Sequence, residues 1–173
     1  VFNEDTSETF DGTNAIQNAV DDSDTTSGDT LRVGPGTYDE SVTIDVENLT
    51  LEGASVDATT IGDPSGLSLS GPIVRINAAD VEVDGFEITG ADGDNEAGQG
   101  VDVNGDEHNT DGVTLRNLEV RNNNDRGLVV DYTDNATIEN VTVEDNYDRD
   151  TFSGDPSEDG FGTSDDADGI TLY

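Results

Sequence analysis

Any chemistry this chain performs has few residue types to work with. It carries one histidine, His108, no cysteine, and six arginines against 41 acidic residues. Cysteine nucleophiles and thiolate zinc sites are excluded, and a Ser-His-Asp arrangement would have to rest on His108 alone. General acid and base work needs a positioned pair of titratable groups, and the candidates are Arg75, Asp102, His108 and Asp131. Hard oxygen donors gather at Asp92, Asp94 and Glu96, at Asp102, Asn104 and Asp106, and at Asp165, Asp166 and Asp168. Calcium takes about six to eight such oxygens, so Ca2+ is the expected cofactor if there is one. The stretch from Asp102 to Val113 starts like an EF-hand loop but has Glu107 where that loop needs glycine and Val113 where it needs glutamate. Asn77, Asn104, Tyr132 and Tyr173 could line a ligand groove, with the rings stacking on sugars. The plainer reading of these groups is a solvated carboxylate surface on which arginines pair with neighbouring acids.

These residues need a scaffold, and the composition bounds it. A chain of 173 residues is one domain's worth, so residues 1–173 are expected to form a single core. The formal net charge is −35. That excludes a generic partner for nucleic acid or for an anionic membrane, since both need a basic footprint. No apolar run approaches the ~18 residues that would insert in a bilayer. High charge with low hydrophobicity is also the signature of disorder, but stretches such as VTLRNLEV (113–120) and ATIENVTV (136–143) alternate apolar and polar residues as strands do. The chain therefore reads as a folded, acid-coated domain. Excess aspartate without lysine resembles halophilic, haloarchaeal proteins, and carboxylate self-repulsion predicts folding only in molar salt.

Internal repeats carry the fold. Segments starting at Asn48, Asp80, Gly112 and Asn135 each hold a short alternating strand and then a bend residue: Gly53, Gly85, Asn117 and Asn140. Glycine and asparagine tolerate a left-handed backbone, which suits a tight bend. Another strand class follows at PIVRIN (72–77), GVDVN (100–104), GLVVD (127–131) and GITLY (169–173). Its copies start at Val74, Val101, Leu128 and Ile170, which are 27, 27 and 42 residues apart. One apolar set should point inward, leaving outward ladders of Arg75, Asp102, Val129 and Thr171, and of Asn77, Asn104, Asp131 and Tyr173. Variable loops on either side of that face would wall a groove. Asn48, Asn135 and Asn140 also begin N-x-Thr sequons, although asparagine at a bend and threonine on a strand are what the repeat itself requires.

The two ends differ. Residues 11–22 are expected to form a capping helix with Ala15, Ile16, Ala19 and Val20 on its apolar face and Asp11 or Thr13 as N-cap. Residues 28–173 would follow as stacked repeats. The last strand runs into Tyr173 without a cap, which leads to the expectation of a longer natural chain, or of packing on another copy.

This pattern resembles the right-handed parallel β-helix of the pectate-lyase-like superfamily, an all-β three-sheet solenoid. More narrowly it resembles the carbohydrate-binding and sugar hydrolase repeats of haloarchaeal surface proteins, and the likeness runs from Phe10 onward. The resemblance implies an extracellular or cell-surface location and a polysaccharide or glycan partner bound along the groove. Two other functions stay open: a cation-dependent polysaccharide lyase or glycoside hydrolase, and a structural module that stacks through its C-terminal end. A lyase would need a base, for which Arg75 is the candidate, with Arg116, Arg121, Arg126 and Arg149 near loops. The string NTDG (109–112) is similar to a polygalacturonase motif, but it precedes the bend strand rather than the groove strand, and no Gly-His-Gly accompanies it.

Overall fold

Strands dominate the computed structural model, which describes residues 1–65, 69–92, 98–146 and 170–172. In chain order they are β1 (Phe2–Asn3), a helix α1 (Ala15–Val20), β2 (Thr30–Val33), β3 (Gly36–Tyr38), β4 (Val42–Ile44), β5 (Thr50–Gly53), β6 (Thr59–Gly62) and β7 (Leu69–Ser70). Then come β8 (Val74–Ile76), β9 (Glu82–Thr89), β10 (Ala91–Asp92), β11 (Val101–Asn104), β12 (Thr114–Arg121), β13 (Leu128–Asp131), β14 (Thr137–Glu144) and β15 (Ile170–Leu172). The all-β class expected from the alternation is what the chain adopts.

Three sheets collect these strands. The first runs β1-β2-β5-β9-β12-β14, with β3 and β6 joining alongside β9. The second runs β4-β8-β11-β13-β15, and the third pairs β7 with β10. Every pairing between these strands is parallel except that of β1 with β2. Parallel sheets need both faces covered, and their strands are rich in valine, isoleucine and leucine for that reason.

The bends sit where the repeat placed them, with one exception. Strands β9, β12 and β14 each turn in the middle, at Gly85 (φ 83°), Asn117 (φ 49°) and Asn140 (φ 53°). The pairing resumes in register on both sides, Arg116 with Asp84 before the bend and Leu118 with Phe86 after it. Side-chain amides brace the stack: Asn140 Nδ2 donates to Asn117 Oδ1 at 2.8 Å, and Asn117 Nδ2 to Asp84 Oδ1 at 2.7 Å. Gly53 is the exception, because its φ is not left-handed. It is small for another reason: a Cβ there would lie 2.3 Å from the Gly85 carbonyl oxygen and 2.9 Å from the Phe86 ring.

Alternate residues of both main sheets meet in one core. Leu31, Leu51, Val83 and Leu115 stack from the first sheet, Val42, Val74, Val101 and Leu128 from the second, and all are buried. Burying each such side chain is worth roughly 1.5–3 kcal/mol. Strand β4, which the repeat alignment did not include, joins this ladder through Val42 and Ile44.

The N-terminal end is closed. Helix α1 buries Ala15, Ile16, Ala19 and Val20 as expected, but it is shorter than residues 11–22. Neither Asp11 nor Thr13 caps it. Asn14 holds the N-cap position, at φ 56°, and makes no side-chain cap bond. The Glu40 carboxylate does the work instead, accepting from the Ile16 and Gln17 backbone N–H groups at 3.0 and 2.9 Å. Gln17 then covers the edge of β4: its Oε1 accepts from Thr43 N at 2.7 Å and its Nε2 donates to Thr43 O at 3.2 Å. At the other end, Ile138, Val141 and Val143 of β14 are only partly buried, whereas Leu115, Leu118 and Val120 of β12 are fully so. The expectation about an uncapped terminus rests mostly on residues 147–169 and Tyr173, which lie outside the described residues.

Candidate functional site

The second sheet presents the expected ladder in the expected register. Arg75 pairs with Asp102, Asp102 with Val129, and Val129 with Thr171, while Asn104 lies beside Asp131. The face they form is less open than a flat groove. Asp102 is 7 % exposed and Val129 1 %. Arg75 Nε donates to Asp102 Oδ2 at 3.0 Å, so two of the four acid-base candidates form an ion pair across adjacent strands.

A cavity of about 180 Å³ lies over this ladder. Its walls include Arg75, Asp102, Asn104, Asp106 and Asp131, five of the residues singled out by type and spacing. It adds Glu107, a neighbour of Asp106 in the same acidic stretch, Arg126, one of the arginines expected near loops, and Gln99, which the sequence did not single out. Two arginines thus face four carboxylates, and the cavity is net acidic.

The connections between strands place these groups. The segment from Asn122 to Gly127 links β12 to β13 and is pinned by buried amides. Asn123 Nδ2 donates to Asn146 Oδ1 at 3.0 Å, and Asn146 Nδ2 to the Val120 carbonyl at 3.1 Å. Arg126, at the end of that segment, donates through Nε to Asp125 Oδ2 at 3.5 Å. Its carbonyl accepts from Gly100 N, and the Gln99 carbonyl accepts from Ile73 N. Gln99 and Arg126 therefore hold equivalent places, each just before the glycine that opens a strand of the second sheet. That shared place in the repeat was the signal that could have found both. On the far side, the loop after β11 closes down on the loop after β13. A Cβ at Gly105 would sit 2.0 Å from the Asp131 carbonyl oxygen.

Gln99 is the unusual member. It is 1 % exposed, lines the cavity, and its Oε1 has no hydrogen-bond partner among the described residues. A buried acceptor left in that state costs about 1–3 kcal/mol, and such groups call for a ligand or another explanation.

The other expected positions among the described residues do not line the cavity. His108 is exposed on the loop after β11, its backbone N–H bonded to the Asn104 carbonyl at 3.2 Å. Tyr132 is 70 % exposed, at φ 48°. Asn77 turns its Nδ2 to Asp45 Oδ1 at 2.8 Å, and Asp92 accepts from Asn124 Nδ2 at 3.4 Å. Asp94, Glu96, Asp165, Asp166, Asp168 and Tyr173 lie outside the described residues. For calcium, Asp102, Asn104 and Asp106 do share one cavity. Among the described residues, however, the group of three carboxylates with oxygens within 4.8 Å of one another is Glu8, Asp22 and Asp24, far along the chain from them. No helix among the described residues is long and apolar enough to cross a membrane.

The outer face of the first sheet carries the remaining described arginines. Arg116 is paired with Asp84 and Glu82, and Arg121 with Glu87 and Glu119. The hydrogen bond that Arg116 donates to Asp84 raises the Arg116 pKa, with the Glu82 charge next in effect, and the bond to Glu87 does the same for Arg121. An open, mostly apolar hollow of about 450 Å³ lies at the N-terminal end, between Phe2, Val33 and Ala54. Compared with protein-family models, curated proteins and solved structures, the chain matches none.

Proposed function

We propose that the chain is a right-handed parallel β-helix and that its second-sheet cavity binds a glycan, as part of a cell-surface or extracellular module of a halophile. Support for the helical winding comes from the ladders. Strands β8, β11 and β13 pair in parallel at a spacing of 27 residues, while β9 and β12 pair at 32, from Glu82 to Thr114. Successive parallel neighbours so far apart in sequence need a crossover between them, and here that crossover carries strands of the first sheet. Right-handed winding follows the general rule for parallel crossovers. The acid coat and the missing lysine support the halophilic reading.

The observation that carries the binding reading is the cavity. It is concave, lies on strand positions rather than on a loop tip, and brings together arginine, carboxylate and amide groups, the set that hydrogen-bonds sugar hydroxyls. At about 180 Å³ it is smaller than the ~300–1,000 Å³ of drug-sized sites, which suits one sugar unit of a longer polymer lying along the ladder.

The test is a binding and turnover screen in molar salt against a panel of immobilised and soluble polysaccharides, with calcium and with chelator. Retention on at least one polymer, lost in Asp102→Ala and Asp131→Ala variants that stay folded, is the expected result. New reducing ends or unsaturated uronate absorbance would replace the binding module with a hydrolase or lyase acting through Asp102 and Asp131. No retention and no turnover with the fold intact would leave a structural module.

A further inference from the structure

We infer that the cavity selects a sugar unit that offers hydrogen-bond donors and carries no negative charge, in preference to a uronate. This rests on the glycan-binding reading of the same cavity. Three observations lead to it. First, the walls hold two arginines and four carboxylates, so a ligand carboxylate would enter a site already in anionic excess. Second, both arginines are already donating to carboxylates, Arg75 to Asp102 and Arg126 to Asp125. A uronate would have to compete with those partners. Third, the buried group that lacks a partner is an acceptor, Gln99 Oε1. A sugar hydroxyl or ammonium group satisfies an acceptor; a uronate could do so through a hydroxyl, but only by bringing its carboxylate into the same acidic walls.

Long-range repulsion is not the cause of this selectivity. In molar salt the Debye length is about 3 Å, so the charge of −35 is screened beyond contact range. Discrimination in that medium arises from groups that touch the ligand. Measuring in molar salt therefore isolates the cavity from the rest of the surface.

The experiment is titration calorimetry in molar KCl with chelator. The probes are gluco-, manno-, xylo- and chito-oligosaccharides on one side, and oligogalacturonate and oligoalginate on the other. The expected result is measurable binding of a neutral or amino-bearing probe and binding at least about tenfold weaker for both uronates, each tenfold being ~1.4 kcal/mol. Gln99→Leu should weaken the preferred probe about tenfold while leaving the melting temperature no lower, because it removes an unsatisfied acceptor. Asp131→Asn should narrow the gap between neutral and uronate probes. A uronate that binds as well as or better than every neutral probe overturns the inference and leaves glycan binding standing. So does a Gln99→Leu variant with unchanged affinity. Failure of all probes to bind overturns the glycan reading and this inference with it.

Discussion

The outer faces of the two main sheets use the same residue types at the same strand spacing, and they make different objects of them. On the first sheet, Arg116 and Arg121 lie across neighbouring strands among carboxylates, and their side chains are 42 % and 38 % exposed. On the second, Arg75 is 33 % exposed and its partner Asp102 10 %, little below the 18 % and 15 % of Asp84 and Glu87, but this pair borders a cavity. The difference comes from what flanks each face. The first sheet bends at single residues, Gly85, Asn117 and Asn140, and the hollow of about 130 Å³ beside the last two, lined by Val56, Glu119 and Thr142 as well, holds no arginine. The second is flanked by the loop from Gly105 to Asp111 and by the segment from Asn122 to Gly127, which stand up beside the ladder. An identical ion pair is thus surface decoration in one place and the wall of a site in the other.

The comparison can be broken in four ways. The largest effect expected is loss of cooperative folding when molar KCl is replaced by dilute buffer, since both faces carry acid in excess of arginine. Circular dichroism during dialysis reads it, and a retained melting transition in dilute buffer would show that the pairs of the first sheet suffice to hold its charge. Next, Asp102→Ala should destabilise by about 2 kcal/mol, below the ~3–5 kcal/mol of a fully buried pair because Arg75 retains some solvent. Denaturant melts in high salt measure it. Asn117→Ala should cost about 1–2 kcal/mol through its left-handed backbone and its lost amide bonds, and Asn117→Gly should recover only the backbone part in the same melts. Smallest is Glu119→Ala on the first sheet, expected within ~0.5 kcal/mol. If Glu119→Ala costs as much as Asp102→Ala, the two faces are energetically alike and the contrast fails.

Much of this was legible in the residues, and for identifiable reasons. The register of Val74, Val101, Leu128 and Ile170 followed from period-two alternation and from β-branched side chains. Asn117 and Asn140 announced the bends because few residues accept that backbone. The convergence of Arg75, Asp102 and Asp131 followed from the register. What stayed hidden depends on partners far away in sequence. Gln99 is an unremarkable glutamine between two glycines until burial gives it meaning. Asp22 and Asp24 share one turn, but Glu8 comes from a separate segment, and no spacing rule connects it to them. Gly53 follows the repeat pattern but serves close packing against Gly85 instead of a left-handed turn. The helix cap was sought among local residues and was found at Glu40, after β3.

That cap has a consequence for the order in which the molecule assembles. A six-residue helix is far below the ~12–15 residues at which an isolated helix becomes even marginal in water. The first-turn N–H groups of Ile16 and Gln17 are held by a carboxylate 24 and 23 residues further on, and the Gln17 side chain is held by Thr43. This segment leaves the ribosome before the strands it packs on, yet its caps are complete only once the chain has emerged through β4. It is a lid that closes onto finished strands, and growth of the fold must start from the strands it later covers.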